Sequence, residues 1–262
     1  MTKTNVMPAT GGTPVVPRAS RSCEAPTALV RKLYASPLSG EAIEALSFAA
    51  IDREAKAHAF TPEQWQVVRR MIHTTADFGL MDEVRFSPEA IAAGVLALQS
   101  GRPLYADSNM VRAGLSLARL RSVCPSYGPQ DIICHVADED LAEQARGAGL
   151  PRALFAVRKA RAVLEGGIAL FGNSPVGLLE LNRLILEEGL RPALVVAMPV
   201  GFVHVVESKQ ETMSLPVPFV ALAGRRGGSP LAVSVVHALT VVACSQPGRA
   251  RRENGPGKVR SP

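Results

Sequence analysis

The sequence predicts an α/β fold, a three-layer α/β/α sandwich on a mostly parallel sheet, with additional helices contributed by the N-terminal region. Two patterns carry that expectation. Beyond Gly101, short apolar runs recur at Leu104–Ala106, Asp131–Val136, Ile168–Phe171, Ala193–Met198 and Pro218–Leu222, separated by helical stretches. Strand and helix in alternation form parallel βαβ units with right-handed crossovers. The runs are also apolar throughout rather than at every second residue, as strands covered on both faces are.

Residues 1–26 are rich in Thr, Pro and Gly, carry no hydrophobic period and predict a disordered tail. Helical patterning starts at Gly40 and runs to Ala57. The next helix has a clear start, with Thr61 as cap, Pro62 in the first helical position and Gln64 three residues after the cap. A third begins at Ser87-Pro88-Glu89 and stops at Gly101, where a C-cap glycine is expected. Within the alternating region, helices are predicted over Leu141–Glu165, Pro175–Glu188, Val203–Thr212 and Pro230–Val242. No repeat is evident. The expected organisation is one domain over 27–245 between basic tails at 1–26 and 246–262.

A chain of 262 residues, 47% hydrophobic and 20% charged, can fill one sizeable core. Its net charge of +6 invites a nucleic-acid reading, which the location of the charge removes. Lys3, Arg18 and Arg21 against Glu24 give the first tail +2; Arg249, Arg251, Arg252, Lys258 and Arg260 against Glu253 give the last +4. The span between is formally neutral, so no basic binding face belongs to the fold. The longest apolar run, Leu231 to Cys244, is too short for a membrane span and contains Ser234 and His237. Cys23, Cys124, Cys134 and Cys244 are scattered without a CxxC pair, which predicts neither a zinc site nor a disulfide framework. Buried reduced thiols are expected at Cys134 and Cys244. With no apolar signal core at the N-terminus, the setting expected is cytoplasmic, without nucleic acid or membrane as partner.

In open parallel sheets, ligands bind at the carboxyl ends of the strands. Two of these ends are alike. Ile168–Phe171 leads into Gly172-Asn173-Ser174-Pro175, and Pro218–Leu222 into Gly224-Arg225-Arg226-Gly227-Gly228-Ser229-Pro230. In each, Ser is expected to cap a helix that Pro opens, while the glycines let backbone approach a ligand. Free N–H groups at a helix start favour anions, and Arg225 and Arg226 would strengthen that preference. Either loop alone is equally ordinary turn chemistry. Neither is a Walker A loop or a GxGxxG fingerprint, so nucleotide cofactors have no support. A third end, Met198-Pro199-Val200-Gly201-Phe202, suggests a flat apolar wall, with Lys209 on the helix that follows. Together they describe an apolar pocket rimmed by cations and N–H donors, suited to a large ring system with carboxylate arms.

Of the five histidines, His58, His135 and His237 are expected to be structural or superficial. His73 differs, because it ends a capped helix in Arg69-Arg70-Met71-Ile72-His73-Thr74-Thr75-Ala76-Asp77-Phe78. The helix dipole favours a cation there, Arg69 and Arg70 oppose it, and Asp77 is placed to orient the ring. General acid catalysis is the chemistry such a residue offers.

That decapeptide resembles the histidine motif of the precorrin-8X methylmutase family. Ala106-Asp107-Ser108-Asn109-Met110-Val111-Arg112-Ala113-Gly114 is similar to the family's second block. Gly172-Asn173-Ser174-Pro175, Pro199-Val200-Gly201-Phe202-Val203-His204-Val205-Val206-Glu207-Ser208-Lys209 and Gly224-Arg225-Arg226-Gly227-Gly228-Ser229 follow in order. The likeness spans roughly Gly40 to Cys244. It implies a flavodoxin-like sandwich, a homodimer, no organic cofactor, no metal site and a corrinoid small-molecule substrate. The implied reaction belongs to cobalamin biosynthesis: a methyl moves from C-11 to C-12 of the macrocycle, giving cobyrinate or hydrogenobyrinate. By the same resemblance His73 is the catalytic proton donor and Ser47 contacts the substrate. Asn173, Lys209, Arg225, Arg226, Gly227 and Ser229 are the further candidate substrate contacts. The His73–Phe78, Asp107–Met110 and Val205–Lys209 stretches look more like the anaerobic, cobalt-containing branch. His204 departs from the Gly or Asn expected at its position, and the basic tails have no counterpart. A corrinoid-handover protein without catalysis and an unrelated anion-binding module are the competing readings.

Overall fold

The computed structural model describes residues 28–245; the two expected tails and Cys23 lie outside the described residues. By compactness the chain divides between Ile43 and Glu44 into two units. The first holds α1 (Val30–Ala35), on which Leu33 and Tyr34 are exposed. Helix α2 (Gly40–Glu54) starts in that unit and continues into the second.

The second unit contains the sheet. From α2 the chain runs through α3 (Pro62–Thr75), α4 (Leu80–Glu83), β1 (Val84–Phe86), α5 (Ala90–Gln99) and β2 (Leu104–Ala106). Next come α6 (Asn109–Gly114), α7 (Leu117–Val123), a 3-10 turn (Pro129–Asp131), β3 (Ile132–Ile133) and the helices α8 (Glu139–Ala148), α9 (Arg152–Lys159) and α10 (Arg161–Leu164). The last part is β4 (Ile168–Phe171), α11 (Pro175–Glu188), β5 (Leu194–Ala197), α12 (Val205–Ser214), β6 (Phe219–Leu222) and α13 (Ser229–Ser245). The sheet order is β1-β6-β5-β4-β2-β3, with β1 antiparallel and every other pair parallel. Taken alone, the five parallel strands have the flavodoxin-like order, whose switch point lies between β2 and β4.

Side-chain alternation along the strands builds both outer layers. Leu104, Ala106, Ile168, Leu170, Val196 and Leu222 point to the layer of α3, α5 and α13. Tyr105, Ala169, Phe171, Val195, Ala197 and Ala221 point the other way, onto α9 and α11. Both faces are therefore dry, and each fully buried Leu or Val contributes about 1.5–3 kcal/mol. Helix α13 crosses between α3 and the sheet and is buried along most of its length.

The capping box expected at Thr61 is present: Thr61 Oγ1 accepts from Gln64 N at 3.2 Å, and Thr61 N donates to Gln64 Oε1 at 3.1 Å. Several expectations need correction. The helix after Ser87 begins only at Ala90; Ser87 instead exchanges bonds with Phe219, its Oγ accepting from the Phe219 N–H at 3.0 Å. The stretch Leu141–Glu165 is three helices, broken where Gly149 turns left-handed (φ 65°) before Pro151. Strand β1 and the short helices α4, α6 and α7 are additional. Cys244 is exposed rather than buried, and Cys134 is partly so.

Candidate active site

The carboxyl ends of β2, β4, β5 and β6 meet at one side of the sheet. At the switch point, the first residue after β2 is Asp107, which is only 3% exposed. Its carboxylate accepts three backbone N–H bonds from the loop after β4: Gly172 at 3.1 Å, Asn173 at 2.7 Å and Ser174 at 2.6 Å. Burial raises the Asp107 pKa against the pull of those donors. This corrects the expectation of a free anion nest at Gly172-Asn173-Ser174, because the chain's own carboxylate occupies it. Ser174 caps α11 as expected, accepting from Gly177 N at 3.0 Å.

The two Ser-Pro helix starts abut. A Cβ on Gly172 would lie 2.6 Å from Ser229 Cα, so this position tolerates only glycine. Ser229 Oγ is 3.2 Å from Ser108 Oγ, which ties the loop after β6 to the start of α6. Ser229 is not a cap: α13 begins at Ser229 itself, and the Gly228 carbonyl accepts its first bonds.

The loop between β6 and α13 is also held from behind. Gly228 N donates to Met198 O at 2.7 Å, and a Cβ on Gly227 would lie 2.3 Å from the same oxygen. The close approach that Gly227 permits is thus to the chain's own backbone. Lys209 is fully buried, and its Nζ donates to Gly224 O at 3.1 Å and Arg226 O at 2.6 Å. Burial pushes its pKa down to about 8. Lys209 therefore braces this loop and is not a rim cation. Arg226 also turns inward, to Glu83 through Nε at 3.0 Å and to Asp77 through Nη1. Arg225 alone of the three expected cations points outward; it is exposed, 5.6 Å over the Phe202 ring. Val200, Phe202 and Val203 are exposed beside it, Phe202 at 84%.

His73 sits in the last turn of α3 and is exposed. Its ring lies 5.1 Å from Phe48, tilted by 53°. Phe48 is in turn covered by the guanidiniums of Arg69 and Arg70 at 4.6 and 5.0 Å. Asp77 does not orient the ring as expected: its Oδ1 accepts from Gly79 N at 2.8 Å, and its Oδ2 pairs with Arg226. The part of α2 from Glu44 is clasped to α3, since Arg70 Nη1 donates to Glu44 at 3.0 Å and Asp52 accepts from Trp65 at 2.8 Å and Arg69 at 2.7 Å. The Arg70 guanidinium lowers the Glu44 pKa. Ser47 is half-buried on the same turns of α2 as Glu44 and Phe48.

Between α3, α6 and α13 lies a cleft of about 300 Å³, lined by Arg70, Thr74, Met110, Pro230, Ser234 and His237 among others. It joins the turn that carries His73 to the Ser229-Pro230 helix start. Asn173 is exposed beside the same switch point. His204 stands just before α12 in the left-handed region (φ 59°), which explains why Gly or Asn is expected there.

Glu44, Phe48 and Asp107 are the residues that pattern reading passed over. Glu44, Phe48 and Ile51 recur at helical spacing, which marks one face of α2 but not its partner. Asp107 lies in the second of the family-like blocks and at the first position after a strand, next to the switch point, but neither signal named its partners.

Among the described residues, no group of three or more His, Cys, Asp or Glu side chains could hold a metal, and no helix is long and apolar enough to cross a membrane. The family model described as precorrin-8X methylmutase matches residues 42–242. A cobalt-precorrin-8 methylmutase from Leptospira interrogans is 40% identical over 212 residues, covering 78% of this chain and 94% of its own. One from Priestia megaterium is 41% identical, covering 78% and 88%. The crystal structure of a precorrin-8X methylmutase from Thermus thermophilus is similar with a TM-score of 0.72 at 42% identity, over 79% of this chain and 97% of that one.

Proposed function

The chain belongs to the precorrin-8X methylmutase family, an isomerase family of cobalamin biosynthesis, and from that premise we propose that His73 supplies the proton that lets a methyl move from C-11 to C-12 of a bound macrocycle. The observation that carries this reading is a cleft whose wall includes Arg70 and Thr74, which flank His73 in sequence on α3, and Pro230 at the start of α13. Product and substrate are isomers, so a proton lent to the ring system must be returned, and an exposed imidazole does both without a second group. Protonation spreads charge over the conjugated ring while the methyl leaves one carbon and bonds to its neighbour. Asp77 does not hold the imidazole, being engaged by Gly79 and Arg226. Phe48 fixes its orientation by ring contact.

A cleft of about 300 Å³ admits one edge or arm of a macrocycle, not the whole ring. The remainder lies across Met110 and the exposed Val200, Phe202 and Val203, with Ser47, Asn173 and Arg225 as contacts. Arg226, Lys209, Gly227 and Ser229 shape the loop behind it. Exposed apolar residues on that scale call for a cover, and a homodimer supplies one. Residues 27–245 form the catalytic region in this reading, in the cytoplasm, where Cys124, Cys134 and Cys244 remain thiols. The substrate is the cobalt-bearing form, as in the names of the Leptospira and Priestia relatives.

The test is to incubate the purified protein separately with cobalt-precorrin-8 and precorrin-8X and follow the product spectrum. Conversion of the cobalt substrate to cobyrinate is expected. Binding of either compound without a new chromophore would favour the handover reading instead.

A further inference from the structure

His237 stands halfway along α13, in the cleft wall that the mechanism leaves unused. Its Nε2 accepts the backbone N–H of Ser116, the cap residue of α7, at 3.1 Å. An imidazole nitrogen that accepts a hydrogen bond carries no proton, so in the neutral ring the proton sits on Nδ1. Nδ1 has no partner among the described residues, nor is it among their buried, unsatisfied polar atoms, so solvent in the cleft reaches it. The ring faces Arg119 on α7, Arg70 on α3 and Glu44 on α2. Burial and the two guanidiniums together push its pKa down to about 4, so the neutral tautomer persists at working pH.

We propose that His237 is a specificity-determining residue, whose Nδ1–H donates to a carboxylate oxygen of the ligand arm that enters this cleft. The inference rests on the function proposed above, which supplies a ligand with carboxylate arms. A neutral donor fixed by its second nitrogen reads the position of an acceptor, where a mobile lysine would read only its charge. Arg70, beside it in the cleft and already bound to Glu44, favours an anion at the same place.

Two variants separate this role from a structural one. In H237Q the amide reaches the Nε2 position and can still accept from Ser116, but the cleft-facing donor is gone. In H237N the amide reaches the Nδ1 position and restores the donor, while the Ser116 N–H loses its acceptor. The measurements are KM, kcat and the equilibrium Kd for cobyrinate, with the thermal midpoint as the structural readout. For H237Q, KM and Kd are expected to rise about tenfold at a near-normal midpoint, as befits one hydrogen bond to a charged group. H237N is expected to recover most of that affinity at a lower midpoint. Unchanged KM and Kd in H237Q, or an equal loss in both variants, would overturn the proposal. If the wild type binds cobyrinate but converts neither substrate, the proposed function fails while the Kd comparison still decides on His237. If it neither converts nor binds, both fall.

Discussion

Asp77 and Arg226 are joined by an ion pair across 149 positions of sequence. It connects the turn that ends the His73 helix to the loop that opens α13. Glu83 grips the same guanidinium from the other side, at 2.8 Å through Nη2. The turn after α3 and the loop before α13 are therefore one braced unit, and a residue expected to serve the imidazole or the substrate serves the brace.

Both partners of this pair are about two-fifths exposed (40% and 41%), so its worth to global stability is small, about 0–1 kcal/mol. Arg226→Ala, which also removes the Glu83 pair, is expected to lower the unfolding free energy by about 0–1 kcal/mol per lost pair while raising KM severalfold, because the loop loses its tether. Steady-state kinetics beside urea unfolding checks this. A large stability loss with unchanged KM would show that the brace serves the fold alone.

Gly172→Ala places a methyl 2.6 Å from Ser229 Cα, where only backbone stands to yield. Moving the two helix starts apart would also disturb the three N–H bonds to Asp107. The expected cost is about 2–4 kcal/mol, in the range of forced overpacking with lost hydrogen bonds. Urea unfolding reads it directly, and a near-neutral result would mean that the two loops are not in contact.

His237 also sets a pH dependence. Its folded pKa of about 4 lies below the ordinary 6.5, so between these values the unfolded chain binds more protons than the folded one. The stabilisation is complete above about pH 6.5 and is lost as pH falls toward 4. Glu44 and Glu180, held below the usual carboxylate range by arginines, lose theirs at lower pH still. H237Q starts from a near-normal midpoint and lacks this titration, so wild type is expected to fall progressively below it in stability from about pH 7 to about pH 4.5, as thermal unfolding across that range would reveal. A constant difference would place the imidazole in water.

Much of the sheet was legible because burial on both faces leaves an unmistakable mark. The runs at Leu104–Ala106 and Ile168–Phe171 are the strands to the residue. Strand β1 was not, since Val84-Arg85-Phe86 is three residues long and half solvated at the sheet edge. The break after Ala148 hides in a sequence whose apolar period continues on either side of Gly149. In the site, residue types were legible but their partners were not. Asp107 fills the nest that glycines and a helix start advertise, and Lys209 turns to two carbonyls, because long-range pairing is decided by the topology rather than by spacing. His204 stands where Gly or Asn is expected, and the structure supplies the reason, a left-handed backbone that the histidine itself did not reveal.

The most direct measurement is single-turnover conversion of cobalt-precorrin-8 by His73→Ala. The variant should fold with a thermal midpoint close to that of wild type, bind the macrocycle, and form product about 10²–10⁴-fold more slowly, the range typical of a lost general acid. A rate within about threefold of wild type, well below that range, would remove the imidazole from the chemistry.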